Sequence, residues 1–191
     1  MSKRVAVLAS GGGSNFENIV KKADDIGIEV AGLIVDRKSA RAVERAERLS
    51  VPYEKIIRKE YSDRKAFERK IVEMIEEWQA EYVILAGFMA ILSPDFIDQY
   101  DRRILNIHPS LLPAFKGANG IRDAFLYGVK VSGVTVHYVD SGIDTGEIIM
   151  QRAVALCDGE TLESFEEKIH ETEYVLYPKA IQSVINLSEE K

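Results

Sequence analysis

Apolar runs and amphipathic stretches alternate along the first half of the chain. Arg4 to Ala9 is a short Val-rich run without polar alternation, the pattern of a strand covered on both faces. After three glycines, Phe16, Ile19, Val20 and Ala23 recur at helical spacing and predict a helix from Asn15 to Ile26. Ile28 to Val35 reads as a second strand, Ala40 to Leu49 as a helix dense in Arg and Glu, and Val51 to Ile57 as a third, weaker strand. Ser62-Asp63 caps a long amphipathic helix with Phe67, Ile71, Met74, Ile75 and Trp78 along one stripe. Tyr82 to Ala86 is another buried strand, ending in Gly87. Ser93-Pro94 opens a short helix through Tyr100, with the serine at the cap and the proline in the first turn. Arg103 to His108 is the fifth strand.

This alternation predicts an α/β fold, a doubly wound and mostly parallel sheet with helices on both faces. After Pro113 the pattern changes. Val131 to Val139 and Ile148 to Leu156 predict two strands joined by a loop, an antiparallel C-terminal extension, and Thr161 to about Asn186 predicts a closing helix capped by Thr161. No repeat, low-complexity run or Pro/Ser-rich linker interrupts the chain, so a single domain over residues 1–191 is expected. The polar residues 188–191 predict a frayed end.

Composition narrows the partners. The 191 residues are 46% hydrophobic and 29% charged, ordinary for a globular chain with a substantial core. A net charge of −6 argues against a general nucleic-acid or anionic-membrane binder, so neither partner is expected. Small anions stay open, because a few local donors can dominate a cleft. The single cysteine, Cys157, excludes an intrachain disulfide and supplies no metal cluster. Lys3-Arg4 precede only a short apolar run broken by glycines, which is not a signal-peptide pattern. No apolar stretch approaches membrane-spanning length, and a cytoplasmic location is expected.

The chemistry concentrates where the fifth strand ends. Asn106 and His108 stand at i and i+2 and leave the same face of a strand, with Pro109 breaking it immediately after. An open α/β sheet binds ligands in the crevice at its strands' C-terminal ends. There an amide offers donors, and an imidazole titrates near neutral pH. Asp144, in the Gly-rich loop Asp140 to Gly146, is by itself an ordinary turn aspartate. Brought beside His108 it would hold the imidazole protonated. Such a set fits acyl transfer without a Ser or Cys nucleophile. His137 falls in an alternating strand and reads as structural. Gly11-Gly12-Gly13-Ser14-Asn15, between strand and helix, suits phosphate binding by backbone N–H groups. It is neither a Walker loop nor a dinucleotide fingerprint, since Phe16 occupies the third glycine position. A tight turn with Ser14 or Asn15 as the helix cap is the plain alternative.

Asn106-Ile107-His108-Pro109-Ser110-Leu111-Leu112-Pro113, followed by Asp140 to Gly146, resembles the signature of the folate-dependent formyltransferases. Within them, Gly11 to Asn15 and Glu173 to Pro178 make the chain similar to the phosphoribosylglycinamide formyltransferases, from about Val5 to about Ile185. The resemblance implies a Rossmann-like formyltransferase fold. It also implies transfer of formyl from 10-formyltetrahydrofolate to the amine of N1-(5-phosphoribosyl)glycinamide, in de novo purine (IMP) biosynthesis. By resemblance His108 is the general acid/base, Asn106 donates to the formyl oxygen, and Asp144 raises the imidazole pKa and orders a water. Gly13, Ser14 and Asn15 would hold the ribose phosphate, and His170 and Glu173 the rest of the ribonucleotide. Met89, Ala90, Ile91 and Leu92 would lie against the pterin ring. Val139, Asp140, Ser141, Gly142 and Ile143 would form its other wall, and Arg64 would meet the benzoylglutamate end. The implied partners are these small molecules, with no metal, and a monomer or homodimer is expected.

One loop departs from the pattern: Asn119 stands where many relatives have a histidine, so no catalytic histidine is carried onto it, while Lys116 could help bind the substrate phosphate or the folate tail. The nearest alternative is a 10-formyltetrahydrofolate deformylase, which usually adds an N-terminal regulatory domain, whereas this sequence opens on its first strand. Methionyl-tRNA formyltransferase would need a C-terminal RNA-binding domain and a basic surface. A non-enzymatic phosphometabolite-binding module is the remaining alternative.

Overall fold

The computed structural model describes residues 2–189. Along the chain run β1 (Lys3–Ala9), α1 (Ser14–Lys22), β2 (Ile28–Val35), α2 (Ala42–Arg48), β3 (Tyr53–Lys55), α3 (Arg64–Glu77) and β4 (Tyr82–Leu85). There follow α4 (Pro94–Gln99), β5 (Ile104–His108), α5 (Gly120–Tyr127), β6 (Val131–Tyr138), β7 (Ile148–Ala155) and α6 (Leu162–Glu189). Ser188 and Glu189 continue the last helix; the fraying expected for Glu190 and Lys191 lies outside the described residues. The strands form a seven-stranded sheet in the order β3-β2-β1-β4-β5-β6-β7. β1 pairs in parallel with β2 and β4, β2 in parallel with β3, and β6 antiparallel with β7. The mostly parallel α/β sheet, its antiparallel extension and the closing helix are all present. The chain divides into two compact units, Met1–Leu105 and Asn106–Lys191, with the boundary inside β5.

In the first unit the unbroken apolar runs are buried along their length: Val5 to Ala9, Leu33 to Val35 and Tyr82 to Leu85. Each fully buried aliphatic side chain contributes about 1.5–3 kcal/mol. Gly32 is a packing residue, since a Cβ there would come within 2.5 Å of the Trp78 ring. The chain builds β1, β2 and β3 outward, then returns past β1 to lay down β4, so the winding reverses between β1 and β4. That reversal is where open α/β sheets leave a crevice. The loops leaving the two strands are tied there: Ser10 N donates to Gly87 O at 3.1 Å and Met89 N donates to Ser10 Oγ at 2.7 Å. The expected caps form, with Asp63 accepting from Ala66 N at 2.7 Å and Ser93 from Phe96 N at 3.2 Å. Two boundaries differ from expectation. α1 stops at Lys22, where a one-turn 3-10 helix at Asp24–Ile26 and then Gly27, at φ 72°, take over. β3 is only three residues long, because it pairs solely with Leu33 to Val35 of β2.

In the second unit Val134 and Val136 of β6 are buried together with Ser132, Thr135 and His137. α6 presents Phe165, Ile169, Leu176, Tyr177, Ala180, Ile181, Val184 and Ile185 as one buried stripe. Burial pushes the Tyr177 phenol well above its ordinary value. The segment after His108 is pinned by a compact polar network. Thr135 Oγ1 donates to Ser110 O at 2.7 Å and accepts from Leu112 N at 3.0 Å and Gln151 Nε2 at 2.9 Å. Gln151 Nε2 also donates to Leu112 O at 3.0 Å. These bonds satisfy a buried hydroxyl and fix the chain between His108 and α5.

Candidate active site

The glycine loop of the first unit is a strand-to-helix turn with a left-handed residue at its centre. Gly13 is buried, takes φ 74°, and forms the N-terminal boundary of α1, with no side chain capping that end. Neither Ser14 nor Asn15 is the cap; both lie inside the first turn, half-buried. A side chain at Gly13 is excluded twice, by its φ and by Ala42, whose Cβ would lie 2.6 Å away. Ala42 N donates to Gly11 O at 3.1 Å, and Arg45 Nε donates to Gly12 O at 2.7 Å. Carbonyls of the loop are thus turned onto α2, an arrangement that suits N–H groups facing an anion.

The second cluster of this unit centres on Glu68, a buried carboxylate. It accepts from Arg64 Nε at 3.0 Å, from Ser93 N at 2.7 Å, and from Ser93 Oγ. Arg64 is therefore anchored to the segment that begins with Met89. Along that segment Met89 (50% exposed) and Ile91 (62% exposed) present apolar surface, Ala90 is half-buried and Leu92 is buried. Sequence reasoning missed Glu68. Its only signal was the i, i+4 spacing to Arg64 on a helix whose neighbouring Phe67 faces the core.

In the second unit Asn106, His108 and Asp144 come together. His108 is buried; its Nε2 lies 2.8 Å from Phe115 O and its Nδ1 lies 3.4 Å from Asp144 Oδ2. A carbonyl can only accept, so Nε2 carries a proton. Asp144 Oδ2 accepts from Gly117 N at 2.8 Å, and Oδ1 lies 3.7 Å from His137 Nε2. Burial raises the Asp144 carboxyl, but the neighbouring His137 imidazole, the bond from Gly117 N–H and the His108 imidazole outweigh it. The net shift is downward from 3.8. Asp144 holds a left-handed backbone, φ 50°, which Asp tolerates better than most residues. Asn106 Nδ2 lies 3.1 Å from His137 Nε2. The buried His137, the backbone oxygen of Phe115 and the amide of Gly117 were absent from the sequence-based site.

Val139 to Ile143 belong to the loop between β6 and β7. Tyr138 N donates to Glu147 O at 2.9 Å across its base. Inside it Asp140 Oδ1 accepts from Gly142 N at 3.1 Å and Thr145 Oγ1 at 2.7 Å. Val139 is half-buried, whereas Asp140 to Ile143 are exposed. His170 and Glu173 sit one turn apart on α6, with His170 Nδ1 3.0 Å from Glu173 Oε2. That bond is the main cause of the raised His170 pKa, opposed by burial and aided by the charges of Glu173 and Glu166. Among the described residues, no group of three or more His, Cys, Asp or Glu is placed to hold a metal ion. No helix of the described residues is long and apolar enough to cross a membrane.

Comparison with known proteins identifies the family. The family profile described as formyl transferase matches residues 3–181. Phosphoribosylglycinamide formyltransferase of Bacillus subtilis (strain 168) is 43% identical over 188 residues, 97% of this chain and 96% of the relative. The crystal structure of glycinamide ribonucleotide transformylase 1 from Geobacillus kaustophilus superposes with a TM-score of 0.93 at 44% identity, covering 96% and 99% of the two chains. That of phosphoribosylglycinamide formyltransferase from Streptococcus pneumoniae TIGR4 gives 0.91 at 43% identity, covering 97% and 99%. A profile matching most of the chain and near full-length identity above 40% converge: the chain belongs to the formyl transferase family, in its phosphoribosylglycinamide formyltransferase branch.

Proposed function

We propose that this protein transfers the formyl group of 10-formyltetrahydrofolate to the amine of N1-(5-phosphoribosyl)glycinamide, a step of de novo purine biosynthesis. The observation that carries this is Asn106 and His108 on one face of β5 with Asp144 at ion-pair distance from His108, in a chain of this family. The amine nitrogen bonds to the formyl carbon, giving a tetrahedral intermediate, and the bond from that carbon to N10 of the folate then breaks. Asn106 and His108 donate to the developing oxyanion, each donor supplying about 3–4 kcal/mol. For this the formyl oxygen replaces the Phe115 carbonyl as acceptor of the His108 Nε2 proton. His108, with a water ordered by Asp144, moves the proton from the attacking amine to N10.

Gly13, Ser14 and Asn15 hold the ribose phosphate, and His170 and Glu173 the remainder of the ribonucleotide. Met89, Ala90, Ile91 and Leu92 receive one side of the pterin and Val139, Asp140, Ser141, Gly142 and Ile143 the other, with Arg64 on the glutamate tail. The exposed apolar Met89 and Ile91 support the first assignment, and the Glu68 anchor supports the last. Residues 1–191 act as one formyltransferase domain, cytoplasmic, as a monomer or homodimer, with no nucleic-acid or membrane partner; the −6 charge supports the last point. Hydrolysis to formate is not favoured, since the relatives named above are formyltransferases and a transformylase.

The test is a formyl-transfer assay with 10-formyltetrahydrofolate, run with and without the ribonucleotide. Tetrahydrofolate release that requires the ribonucleotide and yields formylated product establishes the transferase. Release without it would mean a hydrolase, and no release in either tube a binding module.

A further inference from the structure

We propose that His137 is the positioning residue that sets which end of the Asn106 amide faces the reacting centre; this rests on the formyl-transfer function above. His137 lies on β6 with only 2% of its surface exposed. Its Nδ1 is 2.7 Å from the Tyr138 carbonyl, which can only accept, so Nδ1 carries the hydrogen. In the neutral ring Nε2 then keeps its lone pair and accepts from Asn106 Nδ2 at 3.1 Å. Three groups face this ring: Asn106 from β5, the Asp144 carboxylate from the loop after β6, and the Tyr138 carbonyl of its own strand. Asp144 Oδ1, at 3.7 Å from Nε2, is beyond hydrogen-bond range and leaves that lone pair to the amide.

The consequence lies in the asymmetry of an amide. One Nδ2 hydrogen is held by His137 and the second is left to point toward substrate, whereas a reversed amide would oppose Oδ1 to the Nε2 lone pair. A reversed Asn106 would also aim an acceptor at a developing oxyanion. Oxyanion stabilisation depends on donors already oriented before charge appears. The fixed tautomer of a buried ring on one strand therefore sets the donor on the next.

The decisive experiment compares kcat and KM of His137→Phe and His137→Gln, each alone and in an Asn106→Ala background. Long-range 15N–1H NMR of the wild-type imidazoles reads the tautomer directly. His137→Phe keeps an aromatic ring without the acceptor, and kcat should fall by about 10–100-fold, less than the 10²–10³-fold typical of deleting an oxyanion donor. KM for both substrates should stay within about twofold, since neither makes a binding contact with the ring. His137→Gln, which restores an acceptor, should recover most of the loss. In the Asn106→Ala background the His137→Phe loss should vanish. An equal loss in that background, a change confined to KM, or an Nε2–H tautomer in the wild type would overturn the assignment. Should the phenylalanine variant fail to fold, the glutamine variant and the wild-type tautomer still decide. Wild-type protein inactive in the transfer assay rejects the proposed function instead, whatever the variants do.

Discussion

Among the described residues of the second unit, histidines meet carboxylates at two places, and at each a different partner is displaced. At His108, His137 and Asp144 the displaced group is the carboxylate, driven down against its own burial by two neighbouring imidazoles and the Gly117 N–H. At His170 and Glu173 it is the imidazole, driven up chiefly by one bond across a helical turn. The second pair is local, since i, i+3 spacing on a helix brings the side chains together wherever the helix forms. The first is assembled from two strands and a loop, with His108 far along the chain from both His137 and Asp144. The lesson is that proximity of like residues does not imply like roles: one arrangement suits proton traffic, the other a steady charge for binding.

Breaking the first pairing should have the largest effect. His108→Ala should lower kcat by about 10²–10⁴-fold, with little change in ribonucleotide affinity measured by calorimetry. Turnover equal to wild type would remove His108 from the chemistry. Asp144→Asn keeps the left-handed backbone and should cost about 10²-fold in kcat. On the other pair, His170→Ala should leave kcat nearly intact and raise the ribonucleotide KM about tenfold, as expected for one lost charged hydrogen bond. A kcat effect instead would merge the two pairings into one function.

The two pairs also link stability to pH with opposite signs. Asp144 has a folded pKa below its ordinary value of 3.8, so its contribution is present above that value and lost as pH falls through the lowered one. His170 has a folded pKa above 6.5, so its contribution is full below 6.5 and lost as pH rises through the raised value. Urea unfolding of Asp144→Asn should lose only the acid-side dependence, and of His170→Ala only that above 6.5. The smallest effect is expected at Gly120, where a Cβ would stand 3.2 Å from His108 Nε2 and 3.1 Å from Phe115 O. Gly120→Ala should shift that contact by tenths of an ångström and change kcat by about twofold or less, read by single-turnover kinetics.

How much of this was legible depended on whether a signal is local. Strands β1, β2 and β4 announce themselves because each carries an unbroken run without charged residues that is covered on both faces: Val5 to Ala9, Ala31 to Val35 and Tyr82 to Leu85. The cap residues Asp63 and Ser93, and the helix-spaced stripe of α3, were equally plain. α5 was not anticipated. It buries only Gly120 and Ala124, while Leu126 (68% exposed) and Tyr127 (80% exposed) face outward, so its apolar residues mark the wrong side. At the site, Asn106 and His108 were legible from their i, i+2 spacing before a proline. His137 looked structural because its partner lies on another strand, 31 positions away. Phe115 O and Gly117 N act through the backbone, which no side-chain identity reports. Glu68 gains its role only when the fold brings Ser93 to it, from 25 positions along the chain.

The backbone of Asp144 has a last consequence, for how such a protein can change over generations. Its φ of 50° restricts the position to residues that accept a left-handed conformation, chiefly Gly, Asn and Asp. Its proposed chemistry restricts it to a carboxylate, Asp or Glu. The two sets share one member. Asparagine keeps the shape without the charge, glutamate the charge without the shape, so position 144 is an island in sequence space, with no neutral single-step neighbour.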